Sequence, residues 1–275
     1  MRYDSPMRTA RIGAMLLLLL GLASSAWAAE PPALAKARAL YNSGNYEGAI
    51  DAAAVARRQP AWSDAAALVI ARSYVERYRQ NADAKDLVAA REAFVTIKAS
   101  GLMPRDQVDL TIGMGQILYL GENFGAAADL FENGLNRSAV LGARDRMMLL
   151  DWWATALDRD AQSRPVDRRR VVFERIAARM EEELRQDPGS WVANYWRAVA
   201  LRGTGDIEGA WSAAVAAWVR STLSPETTVE LRADLDRLVM QALIPERSRV
   251  MAVRDPQEAV TALRAEWDLL KLQWK

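Results

Sequence analysis

Apolar residues recur every three to four positions through most of this chain, and no stretch alternates strictly between apolar and polar. That period predicts α-helices and no sheet. Ala33, Ala37 and Leu40 fall on one face of a first helix. Gly44 ends it, because glycine takes a positive φ without strain. Tyr46, Ala49, Ala53 and Ala56 then mark one face of a second helix, and Pro60 closes the unit. A single helical hairpin of this kind cannot bury its own apolar face, so a chain built of them has to stack them.

The hairpin recurs. Gly44-Asn45-Tyr46-Glu47-Gly48-Ala49 returns as Gly205-Asp206-Ile207-Glu208-Gly209-Ala210. Around the second copy, Ala198, Leu201, Ala214 and Ala217 reproduce the spacing of Ala37, Leu40, Ala53 and Ala56. Met114, Ile117, Phe124, Ala127, Phe131 and Gly134 give a third match, with Gly121 one residue early for the turn. This order of small and large apolar positions resembles the tetratricopeptide repeat, a helix–turn–helix unit of about 34 residues. Tyr46 to Phe124 is 78 residues and Phe124 to Ile207 is 83. Each interval is two periods plus a remainder, so each predicts one divergent repeat with added loop residues. In the first interval Ala71 and Tyr74 head a helix ending near Tyr78, and Leu87, Ala90, Phe94 and Ile97 form its partner after a turn at 80–85. In the second, Met148, Leu149, Trp152, Trp153 and Leu157 face Phe173, Ile176, Ala177, Met180 and Leu184 across a polar loop at 160–167. The expected fold is an all-α solenoid of about five hairpins over residues 29–223.

Residues 224–275 lack the repeat signal and are expected to cap the stack. Ser224-Pro225-Glu226 starts a helix carrying Val229, Leu231, Leu235, Leu238, Val239 and Leu243, which Pro245 ends or kinks. Asp255-Pro256-Gln257-Glu258 forms a capping box before a last stripe of Val260, Leu263, Trp267, Leu270 and Trp274.

Composition narrows the chemistry. Residues 1–28 have the three parts of a cleavable secretory signal: Arg2, Arg8 and Arg11, then an apolar run with Leu16 to Leu20, then Ala26-Trp27-Ala28. The expectation is export, with the periplasm as destination. The formal charge is +1, and residues 1–28 hold +2 of it (three arginines against Asp4), leaving −1 for the rest. No basic excess points to nucleic acid. The chain has no cysteine and no histidine, so disulfides, thiol nucleophiles, imidazole bases and the commonest metal ligand are all missing. Gly113-Met114-Gly115 lies inside a helical pattern and reads as close packing, not as a dinucleotide fingerprint. Glu181-Glu182-Glu183 and Arg168-Arg169-Arg170 read as solvated faces. No catalytic, metal or cofactor site is expected, and the chain reads as a non-enzyme.

The resemblance adds candidate positions. In tetratricopeptide proteins the first helix of each repeat lines a concave groove. Carried over by spacing, this implicates Leu34, Arg38, Tyr41 and Asn42, then Leu68, Arg72, Val75 and Glu76, then Thr111, Leu118 and Tyr119, and finally Tyr195, Trp196 and Arg202. Leu34 and Arg38 stand where chaperone-tail binders of the family carry a Lys/Asn clamp. The expected function is an exported scaffold that holds a partner protein or peptide in this groove, in cell-envelope assembly or transport. The alternative is a small-ligand or lipid carrier with an aromatic-lined pocket.

Overall fold

The computed structural model describes residues 29–223, 228–251 and 255–274, and it is all-helical over them. In chain order the α-helices are α1 (Pro32–Asn42), α2 (Tyr46–Ala56), α3 (Ser63–Asn81), α4 (Ala84–Val95), α5 (Pro104–Leu120), α6 (Phe124–Asn136), α7 (Ala143–Ser163), α8 (Val166–Gln186), α9 (Trp191–Gly203), α10 (Ile207–Arg220), α11 (Thr228–Leu238), α12 (Ile244–Val250) and α13 (Pro256–Gln273). Helices adjacent in sequence pack as pairs. Alternate helices also touch: α1 with α3, α3 with α5, α7 with α9, and α9 with α11. The signal-like residues 1–28 and the helix start at 224–227 lie outside the described residues.

The matched motif occupies equivalent places. Tyr46, Phe124 and Ile207 each open the second helix of a pair. Asn45 caps α2 by accepting from the Gly48 N–H at 3.0 Å, and Asp206 caps α10 by accepting from the Gly209 N–H at 2.8 Å. Gly44 and Gly205 adopt φ of +80° and +85°, in open space, so it is the backbone conformation and not room that demands glycine there. Between α5 and α6 the same place is taken by Glu122 at φ +62°, while Gly121 has an ordinary negative φ. Ala37, Ala49, Ala53, Ala127, Ala198 and Ala210 are fully buried, and their small side chains let paired helices approach closely. Leu40, Leu201, Tyr46 and Phe124 are half-buried beside the turns.

Three apolar clusters run along the chain. One joins α1 to α5 around Leu34, Leu68 and Phe94. The second joins α6 to α9 around Phe131, Trp153 and Ile176. The third joins α9 and α10 to the C-terminal helices around Trp211, Trp218 and Trp267. In the last, Trp267 is fully buried and stacks edge-on against Trp211 and Trp218 at 6.0 and 5.3 Å. Its indole N–H donates to Asp236 at 2.9 Å.

Several expectations are corrected. The divergent pairs have short turns, not lengthened ones. α3 runs through Asn81, leaving Ala82 (φ +55°) and Asp83 as the turn, and α7 and α8 are separated by Arg164 and Pro165. The added residues extend the helices instead. Pro245 does not end its helix: residues 239–243 widen into a π turn and α12 follows directly. Proline lacks an N–H and its ring clashes with the preceding turn, and a π turn relieves both. Val229 is 75% exposed, Trp274 45%, Met114 44% and Met148 43%, so none of the four belongs to a buried face. Asp255 caps α13 through the Gln257 N–H at 2.8 Å.

Candidate functional site

The first helices of four successive pairs line one cleft of about 610 Å3. α1 contributes Arg38, Tyr41 and Asn42; α3 contributes Leu68, Arg72, Glu76 and Arg79; α5 contributes Arg105, Asp106, Asp109 and Gln116; α7 contributes Arg144, Asp145, Met148 and Trp152. These helices are held together by ion pairs at the cleft floor. Arg38 donates through both terminal nitrogens to Asp106, at 3.0 and 2.9 Å, and its Nε lies 2.8 Å from Glu30. Arg72 donates to Asp109 at 2.8 Å and its guanidinium stands 4.6 Å from the Tyr41 ring centroid. Arg105 reaches Asp109 at 3.3 Å and Asp145 at 2.7 Å. The pairs tie α1 to α5, α3 to α5, and α5 to α7.

Asp106 and Asp109 are buried, and neither is left without an arginine. Burial works against the Arg38 charge, but Asp106 and Glu30 outweigh it and hold its pKa above the usual arginine value. Burial raises the Tyr41 phenol, partly offset by Arg72. Arg38 and Arg72 are each held against a buried carboxylate, which preorganises the cleft walls. Arg144 is exposed at the cleft and, among the described residues, forms no ion pair.

A second cavity of about 270 Å3 opens beside the cleft and shares Arg79, Gln116 and Trp152 with it. Tyr119, Phe131 and Trp152 form aromatic walls, and Asp151 and Thr155 are polar lining. Tyr119 packs edge-on against Phe124 at 5.2 Å, and Trp152 lies 6.0 Å from Phe131. Burial pushes the Asp151 carboxyl above its ordinary value; the Trp196 hydrogen bond opposes this and Asp234 adds to it. Asp158, two turns along α7, is also raised by burial.

The sequence-derived candidates are distributed unevenly over this geometry. Arg38, Tyr41, Asn42, Leu68, Arg72 and Glu76 line the cleft, and Tyr119 lines the second cavity. Leu34 and Val75 are fully buried in the first cluster, and Leu118 packs against the second. Tyr195 and Trp196 line neither cavity. Trp196 is 7% exposed, with its indole N–H on Asp151 at 2.8 Å, and Tyr195 packs edge-on against it at 5.5 Å. Arg202 clasps Glu246 of α12 at 2.6 to 3.0 Å and so joins α9 to the C-terminal helices. In the triple glutamate, Glu183 is not solvated: it is 5% exposed and gripped by Arg146 at 2.7 Å and Arg179 at 2.9 Å. Burial works upward on its carboxyl, and the two guanidiniums overcome it and hold it below the ordinary value. The Gly113–Gly115 stretch lies inside α5, where added Cβ atoms would come 2.4 Å from Phe94 and 2.6 Å from Phe131.

Sequence reasoning missed Asp106, Asp109, Arg105, Asp151 and Trp152 as cleft or cavity residues. Aspartates three apart on the otherwise apolar face of α5 were the available signal for the first two. No group of three or more metal-ligating side chains clusters among the described residues, and no described helix is long and apolar enough to cross a membrane. No family model matches the chain, and no curated protein or solved structure matches it.

Proposed function

We propose that the chain is an exported tetratricopeptide-type solenoid that binds an extended segment of a partner protein in the cleft lined by α1, α3, α5 and α7, in cell-envelope assembly or transport. The supporting observation is the cleft itself: about 610 Å3, with five arginines and four carboxylates set among tyrosine, tryptophan and aliphatic side chains. Such walls suit a polypeptide, which offers backbone amides, charged ends and apolar side chains together. The contacts between successive first helices, and the three clusters strung along the chain, support the solenoid reading.

A lipid or small-ligand carrier needs a mostly apolar pocket that encloses its cargo. The aromatic-walled cavity beside the cleft holds about 270 Å3 and the one at Trp211, Val215 and Trp267 about 200 Å3; both are smaller than a pocket that encloses such a cargo, which favours the peptide reading. A photo-crosslinker placed at Arg144 in the cleft, compared with one at the exposed Val171 of α8, tests the proposal in the cell envelope. Crosslinks to the same envelope protein from Arg144 and none from Val171 are expected. Loss of crosslinking from Arg144, with a lipid extract raising the melting temperature, would favour the carrier instead.

A further inference from the structure

Among the described residues, the four buried carboxylates each have an arginine. Asp86 has Arg77, Asp106 has Arg38, Asp109 has Arg72 and Arg105, and Glu183 has Arg146 and Arg179. Asp151 breaks the pattern. Its carboxylate is half-buried and accepts the neutral Trp196 N–H. Among the described residues, no lysine or arginine pairs with it. Desolvating a carboxylate without a counter-charge is costly, and here it lies in the wall of an aromatic cavity that opens into the cleft.

Resting on the peptide-binding reading, we infer that this cavity is a specificity pocket for one cationic side chain, lysine or arginine, of the bound segment. Trp152 and Tyr119 present ring surfaces against which an alkyl stem and its charge can lie. Asp151 supplies the missing anionic partner. Phe131, only 2% exposed, lends the pocket an apolar wall. The cation already at the mouth, Arg79, is matched by Glu76, whose two oxygens it meets at 3.1 Å. Its guanidinium stands 5.9 Å from the Trp152 ring centroid, so that indole already accommodates a cation at the cleft side. A segment lying in the main cleft passes the cavity mouth, because the two share Arg79, Gln116 and Trp152.

The test is selection of random dodecapeptides displayed on phage against the purified chain. The best binders are then synthesised with each lysine replaced by norleucine and each arginine by citrulline. Asp151→Asn keeps an oxygen to accept the Trp196 indole N–H, so the fold is retained; an unchanged Trp196 indole proton signal and circular dichroism check this. The expected result is one shared basic position whose replacement weakens binding to the parent chain about ten-fold. The same replacement should change binding to Asp151→Asn by no more than about two-fold, since the two changes remove one interaction. Binders without a basic position, or an equal loss in parent and variant, overturn the pocket while leaving the cleft proposal standing. Failure to select any binder overturns both.

Discussion

Single residues in this protein divide into those that fix the cleft and those left available to a ligand. Asp106 fixes it: a buried carboxylate meeting both terminal nitrogens of Arg38, 68 residues away. Asp106→Ala leaves that guanidinium with Glu30 alone, and unfolding by urea should report a loss of about 2 kcal/mol. Asp151 is the counter-case. Burial raises its folded carboxyl pKa above the unfolded value, so the native state holds the proton more tightly, and stability falls as pH rises through that window. Asp151→Asn abolishes this loss. Its melting temperature should exceed the parent's at pH 7, with the gain shrinking as pH falls below the ordinary aspartate range and the carboxyl becomes protonated in both the folded and the unfolded state. Glu183 acts in the opposite sense. Its folded pKa is lowered, so its stabilising contribution is present above the ordinary glutamate range and lost as pH falls through the folded value. The resemblance to the repeat implicated Arg38, Tyr41, Asn42 and Arg72 as groove positions, and these side chains line the cleft. Their carboxylate partners lie 37 and 68 residues away. Local periodicity carries no information about a pairing at that distance.

Among the elements, four of the turns within pairs carry a residue at positive φ, at Gly44, Ala82, Glu122 and Gly205, and the helices absorb variation in length. The divergent pairs illustrate why this was hard to read. The polar residues Arg79, Gln80 and Asn81 lie within α3, and polarity alone does not distinguish a loop from a solvated helical turn. Ala82 then ends α3 in the left-handed region. Equally, the π turn before Pro245 answers a steric demand that the apolar stripe does not reveal. Close approach between elements gives a sharper prediction. A Cβ on Gly203 would sit 2.3 Å from the Phe173 ring, whereas one on Gly205 meets nothing within 4 Å. Gly203→Ala should therefore push α8 and α9 apart and destabilise by about 1–3 kcal/mol through overpacking, seen as a lower urea midpoint. An unchanged midpoint would mean that Phe173 swings aside at no cost.

Among the described residues, ion pairs link α1, α3 and α7 to α5, and three apolar clusters together draw on helices from α1 to α13. Arg202 and Glu246 carry the same kind of link into the C-terminal helices, where Trp267 closes the last cluster. The helical class and most helix positions were legible because apolar periodicity reports burial directly. Tyr195 and Trp196 were placed in the groove by spacing, yet they lie against Asp151 and the neighbouring clusters, because a bulky aromatic on a first helix can equally fill the space between pairs. The proposed role rests on the cleft as a binding surface. Its most direct measurement is the affinity of the purified chain for the partner segment mapped by crosslinking, made as a peptide. Arg144 and Met148 are exposed cleft residues, so replacing both by alanine should leave the melting temperature unchanged. The proposal expects that double variant to bind about ten-fold more weakly, with Val171→Ala unaffected. Equal affinity of all three chains would contradict it.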